Sequence, residues 1–242
     1  MSTFVAPVSA AIATAAAVAM SGTATWAALS AESQIFGTTL IAPRAPQEIA
    51  LTYDDGPNPS ITPDLLDLLE TYNVRATFFL IGDFARQCPS LVRELRTRGH
   101  LVGNHTMTHP WLAWQSERRI REELHAASAV IEDTLGEKVR YFRAPHGARR
   151  PVVLEIVREM NMVPVQWNLI CQDWKPLGVD ELSRRIENGI ARNQRRGFAT
   201  NVVLHDGGQA GLGIDRKDTV LATERFLDQH GDLRFVTVDA WA

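Results

Sequence analysis

Two histidines and a pair of adjacent acids are the residues of this chain best suited to act together. His105 and His109 stand four apart in His105-Thr-Met-Thr-His109. On a helical backbone that spacing turns both imidazoles to one side, which suits two ligands of one metal ion. A half-buried polar turn explains such a pair equally well, so alone it is weak. The acids, Asp54 and Asp55, lie in Thr52-Tyr-Asp-Asp-Gly-Pro57, at the end of an apolar run and before a Gly-Pro turn. Adjacent carboxylates at a strand end open on one mouth yet point apart. One can ligate a cation while the other stays free as a base, and the cation offsets their mutual repulsion. A turn or cap role accounts for one aspartate easily, for two less so. His205-Asp206 follows the run Asn201–Leu204. A histidine there has a pKa suited to general acid work, with a satisfied loop histidine as the plainer alternative. Arg143 and Asp173-Trp174 close two further runs, and a structural ion pair would explain Arg143 and Asp173.

These residues need elements to position them. Short β-branched or aromatic runs predict strands at Glu48–Tyr53, Ala76–Ile81, Leu101–Gly103, Val139–Phe142, Val163–Leu169, Asn201–Leu204 and Leu233–Val238. Segments of helical period lie between them. Thr62-Pro63 offers a capping hydroxyl before a proline at the first helical position, followed by the stripe Leu65, Leu66, Leu68, Leu69 and Tyr72. Ser116 opens a helix with Ile120, Leu124, Ala127 and Ile131 on one face, and Gly136 stops it. Pro151, Asp180 and Asp215 open three more. Strands alternating with helices argue parallel β/α units in a single domain. Seven strands suit either a doubly wound sheet or an incomplete barrel. The clusters decide: Asp54-Asp55, His105, Arg143, Asp173 and His205 each follow a strand's carboxyl end. A barrel gathers all such ends on one face, whereas an open sheet shares a crevice only at its switch point. A distorted, incomplete (β/α) barrel of about seven parallel strands is therefore expected.

With 25 basic and 28 acidic residues in 242, the chain has a net charge of −3 and no basic surface for a nucleic-acid backbone. Cys88 and Cys171 have no metal-type spacing and are expected as two buried free thiols. Residues 1–31 carry no charge and are rich in alanine. They read as a cleaved signal or an uncleaved membrane anchor, either of which puts the remainder outside the cytoplasm. Residues 32–47 read as a linker and 48–242 as the catalytic domain.

In order along the chain, the clusters resemble the motifs of the polysaccharide deacetylases, the NodB-homology or carbohydrate esterase family 4 group. Thr52–Pro57 resembles T-[FY]-D-D-G-P, and His105–His109 resembles H-[ST]-x-x-H. Arg143-Ala-Pro-His-Gly147 is similar to R-x-P-[YF]-G, Asp173-Trp174 to a closing D-W, and His205-Asp206 to the end of L-x-H-D. The resemblance implies that Asp55, His105 and His109 hold a divalent metal, with zinc expected and Co²⁺, Ni²⁺ or Mn²⁺ also compatible. It implies Asp54 as base, Arg143 as its partner, and His205 as acid with Asp173 behind it. It further implies an oxyanion donor on the His146 backbone, and a pocket for the acetyl methyl between Trp174 and Val203. The substrate implied is a glycan with N-acetylated amino sugars. An O-acetyl esterase and a non-catalytic glycan binder are the competing readings. Four positions depart from the motifs: His146 replaces Tyr or Phe, Ile170 replaces an acid, and Asn201 and Val203 replace Ile and Leu. Trp111 is expected to offer the sugar an aromatic face, and core packing is expected for at least one of Trp111 and Trp114.

Overall fold

Alternation along the first strand sets the plan of the molecule. In the computed structural model, which describes residues 25–231 and 233–242, β1 spans Glu48–Gly56. Ile49, Leu51 and Tyr53 belong to the main core, with Leu65, Leu66 and Leu69 of α1 (Thr62–Thr71) and Phe226 of α7 (Lys217–Gln229). Successive side chains of a strand face opposite sides. Ala50 accordingly joins a separate small inner cluster with Phe79, Tyr141, Val165 and Val238. Thr52 and Asp54 continue the Ala50 side toward the carboxyl end, so the interior is apolar below and polar at the mouth.

The other strands are β2 (Thr77–Leu80), β3 (Leu101–Asn104), β4 (Tyr141–Phe142), β5 (Val163–Pro164), β6 (Leu169–Ile170), β7 (Thr200–His205) and β8 (Arg234–Phe235). They are parallel and ordered β5-β4-β3-β2-β1-β7-β6, with β8 beside the first residues of β1. The helices α2 (Gly82–Gln87), α3 (Pro89–Thr97), α4 (Glu117–Leu135), α5 (Pro151–Glu159) and α6 (Val179–Arg195) fill the crossovers. The fold is the incomplete (β/α) barrel that the strand-end clusters require.

The predicted strand Val163–Leu169 is two strands. Val163–Pro164 pairs with β4 at one edge of the sheet, and Leu169–Ile170 pairs with β7 at the other. Val165, just past the proline, still donates its N–H to Phe142 O of β4 at 2.8 Å, and beyond it the chain crosses to the far edge. Leu40 pins the crossing, donating its N–H to Pro164 O at 2.7 Å and accepting from Gln166 N at 2.9 Å.

Two helix starts show how local chemistry serves the site. Ser116 caps α4 by accepting the Arg119 N–H at 3.3 Å, and Gly136 ends it with a left-handed φ of 70°; such a cap contributes about 1 kcal/mol. Thr62 does not cap α1. Its hydroxyl instead accepts the Asn58 N–H at 2.9 Å and donates to the buried Asp206 carboxylate. Burial pushes that carboxyl up to about 7. A Cβ on Gly56 would lie 2.3 Å from Asp206 Oδ2, so glycine is needed for β1 and β7 to close at this point.

The signal or anchor reading rests on residues 1–31, of which 1–24 lie outside the described residues. Among the described residues no helix is long and apolar enough to cross a membrane. Segment 32–47 lies against the barrel through Leu40, and buried Arg149 donates to Ser30 O and Ser33 O at 2.8 Å each. Both cysteines are free. Cys171 is buried, but Cys88 is only partly so, which corrects half of that expectation.

Candidate active site

The histidine pair converges without a helix. Residues 105–109 form a loop after β3 in which Thr106 and His109 take left-handed φ values of 69° and 59°. Asn104 Oδ1 accepts the Thr106 N–H at 2.7 Å, and Thr106 Oγ1 accepts the His109 N–H at 3.0 Å. Glu123, buried on α4, clamps the rest. Its carboxylate accepts from Met107 N at 2.9 Å, Thr108 N at 2.8 Å and Thr108 Oγ1 at 2.7 Å. The turn brings the rings together nonetheless: both Nε2 atoms face Asp55 Oδ1, at 3.4 Å for His105 and 3.0 Å for His109.

This trio fits a cation. Its three ligand-type atoms lie within 4.8 Å of one another, and all three residues are buried. His105 Nδ1 is 2.8 Å from the Arg143 carbonyl, which can only accept, so the proton sits there and Nε2 presents a lone pair. His109 Nδ1 is 2.7 Å from Gln209 Oε1 and is held the same way. A carboxylate facing two imidazole lone pairs is an arrangement of acceptors, which a positive ion reconciles.

Asp54 is turned elsewhere. Asp55 takes a φ of 68° at an irregularity in the β1–β2 register, which lets the adjacent carboxylates diverge. Asp54 Oδ1 accepts from Arg143 Nη1 at 2.8 Å, and its Oδ2 lies 3.9 Å from His105 Nε2. Arg143 is fully buried; Nη1 also donates to Thr52 Oγ1 at 2.7 Å, and the guanidinium lies 4.2 Å from the centre of the Phe79 ring. Across the β1–β7 pairing, His205 stands opposite Asp54. Asp173 holds it twice, with Oδ1 2.8 Å from Nδ1 and Oδ2 accepting the backbone N–H at 2.8 Å. Thr219 donates to Asp173 Oδ2 at 2.9 Å. Burial alone would lower the His205 pKa; Asp173 outweighs it, with help from Asp55 and Asp54, and raises it to about 9.

These groups open into one cavity of about 520 Å³, whose walls include Trp111, His146, Trp167, Trp174 and Val203. All eleven residues singled out from the sequence line it or, as with Arg143 and Asp173, bond directly to one that does. His146, at a left-handed φ of 57°, stacks on Trp111 with ring centres 3.9 Å apart, and Trp111 stacks on Trp114 at 5.2 Å. Neither tryptophan is in the core: Trp111 is 38% exposed and Trp114 79%, so the core-packing expectation is overturned. Leu112 between them takes the buried place. Glu123, Gln209, Thr219 and Trp167 were not foreseen. Glu123 could have been, as an acid within the buried Ile120–Leu124–Ala127 stripe.

Residues 42–165 match the sequence profile of the polysaccharide deacetylases. The chain belongs to the polysaccharide deacetylase family. Its relatives include a chitooligosaccharide deacetylase from Azorhizobium caulinodans, 37% identical over 160 residues that cover 66% of this chain and 73% of the relative. A peptidoglycan-N-acetylglucosamine deacetylase from Bacillus cereus is 35% identical over 194 residues, covering 78% of this chain and 85% of its own. Among solved structures, the Bc1960 peptidoglycan N-acetylglucosamine deacetylase superposes with a TM-score of 0.75 at 29% identity, covering 83% of this chain and 90% of that one. Against the motifs of this hydrolase family, the departures now have places. Asn201 Oδ1 accepts from Thr52 Oγ1 at 3.2 Å and Arg143 Nη2 at 3.4 Å, so the polar replacement for Ile sits behind Arg143. Ile170 is 43% exposed on the cavity wall, and Val203 is buried there.

Proposed function

We propose that this polysaccharide deacetylase hydrolyses the N-acetyl group of N-acetylglucosamine units in a poly- or oligosaccharide of the chitooligosaccharide or peptidoglycan type. The observation that carries the reading is a free carboxylate and an Asp-backed histidine facing one another across β1 and β7, beside a cation-ready trio. A glycan-binding protein needs neither a base nor an acid. The relatives' activities support the amide as the bond cleaved, and peptidoglycan, lying outside the cytoplasmic membrane, accords with an extracytoplasmic chain.

Asp55, His105 and His109 would hold a divalent cation, zinc foremost, whose chemistry is to polarise the acetyl carbonyl and acidify a water. Asp54 takes the proton from the attacking water, and Arg143, bonded to its Oδ1 at 2.8 Å, holds that carboxylate in place. The His146 backbone N–H, which has no acceptor among the described residues, stabilises the oxyanion. Trp174 and Val203 hold the acetyl methyl, and Trp111 and His146 wall the sugar. His205 donates its proton to the departing amine, the step that makes an amide hydrolysable.

Metal-loaded protein is expected to release acetate from N-acetyl chitooligosaccharides, with the deacetylated units visible by mass. Release from acetylxylan alone would replace this reading with an O-acetyl esterase. A second expectation follows from His205. Its folded pKa lies above the ordinary value, so the imidazolium persists through neutral pH and is lost as pH rises through about 9. The alkaline limb of kcat should therefore lie near pH 9. In Asp173→Asn, burial loses its strongest opponent, so the alkaline limb should move to lower pH and cost on the order of tenfold or more in kcat at pH 8. The loss should shrink toward pH 6; an unmoved alkaline limb in that variant would remove His205 from the acid role.

A further inference from the structure

A second groove, of about 670 Å³, adjoins the catalytic cavity and shares Trp167 and Ile170 with it as common walls. Three arginines of α6, Arg185, Arg192 and Arg195, line it. Arg185 is engaged, donating to Glu181 at 2.7 Å and to Cys171 O and Gln172 Oε1 at 3.2 Å each. Arg192 and Arg195 are exposed, and their side chains have no ion pair or hydrogen bond among the described residues. Elsewhere this chain pairs helical arginines with an acid four residues before them, as in Glu94–Arg98, Glu117–Arg121 and Glu181–Arg185. The corresponding positions for Arg192 and Arg195 are Asn188 and Ala191. The one acid on the groove wall, Glu32, faces Arg196 at 3.8 Å. Where the two cavities meet, Ile170 stands at the motif position otherwise held by an acid, so no carboxylate separates the glycan cavity from the arginines. A helix C-terminus favours cations, but that does not explain two unpartnered guanidinium groups lining a groove that opens from the catalytic cavity.

We propose that this groove is a subsite for a carboxylate carried by the glycan next to the sugar that is deacetylated. Arg192 and Arg195 receive the carboxylate, and Trp167 and Ile170 seat the apolar face of the sugar that bears it. Guanidinium groups suit this ligand because they offer paired N–H donors to a carboxylate. The proposal rests on the hydrolase reading above for its glycan, and adds a charge requirement to it.

The test uses the metal-loaded protein and a tetrasaccharide of alternating N-acetylglucosamine and its lactyl ether, with its carboxylates free or amidated. The same glycan with peptide stems forms a further arm, and neutral N-acetyl chitotetraose is the control. Binding is measured by calorimetry on Asp54→Asn, which leaves the probe intact, at low and at physiological salt. A free-carboxylate probe, lactyl or stem-bearing, is expected to bind about tenfold tighter than its amide at low salt, with less difference as salt screens the pair. Arg192→Gln with Arg195→Gln should erase that preference and leave chitotetraose turnover unchanged. Preference only for the stem-bearing probe assigns the carboxylate to the peptide. Equal binding of free and amidated probes, or a preference that survives the double substitution, overturns the subsite. No acetate from any N-acetyl glycan would instead overturn the hydrolase reading, and the binding comparison would still decide the groove.

Discussion

Asp54→Asn is expected to lower kcat by about 10³-fold, within the 10²- to 10⁴-fold range of a general base. The amide keeps the shape of the carboxylate and an oxygen for Arg143 Nη1, so the cavity retains its geometry. What it loses is the charge that accepts a proton. It also leaves Arg143, fully buried, without its counter-ion. Breaking a buried pair from one side typically costs about 3–5 kcal/mol, so a fall in thermal stability accompanies the loss of rate. The two effects can be separated. Adding Arg143→Met removes the stranded cation and places an apolar chain against Phe79, which should recover most of the melting temperature. Turnover should stay at the level of the single variant. Recovery of turnover along with stability would mean that Asp54 holds Arg143 in place and does not act as the base.

How much of this site could be read in advance depended on the kind of constraint. Strand ends were legible because β-branched runs stop abruptly at polar residues, and a barrel brings those stops to one rim. The candidate site residues were legible because their chemistry is rare, as with two aspartates together or a histidine before an aspartate. The spacing of the histidine pair leaves helix and turn equally open, since periodicity says nothing of a backbone held by Glu123 from a different element. The split of Val163–Leu169 has no local mark, because both ends of the run are strand and only their partners differ. Gln209 and Thr219 act through one hydrogen bond each, across long sequence separations, and no local pattern marks them. Trp111 and Trp114 show the converse limit. Aromatic type suggests burial, yet Trp111 stacks on His146 and Trp114 on Trp111, both outside the core.

The metal trio gives the other large effect. Asp55→Ala should abolish turnover to below about one part in 10³, since a Lewis acid at a reacting carbonyl contributes several kcal/mol of transition-state stabilisation. Chelation of the native protein should do the same, and zinc should restore the native protein only. Activity alone would not show that Asp55 is a ligand, because any damage to the cavity would be silent in the same way. Thermal stability distinguishes the cases. A ligand that binds only the folded state stabilises it by about 4 kcal/mol at a thousandfold excess over Kd, so the native melting temperature should rise with added zinc. Without the Asp55 carboxylate, two imidazoles remain, His105 fixed by Arg143 O and His109 by Gln209. Two neutral ligands bind more weakly than three with a charge among them, and the zinc-dependent rise should collapse. A variant that keeps the full rise while losing turnover would put the cation elsewhere in the cavity and free Asp55 for another task.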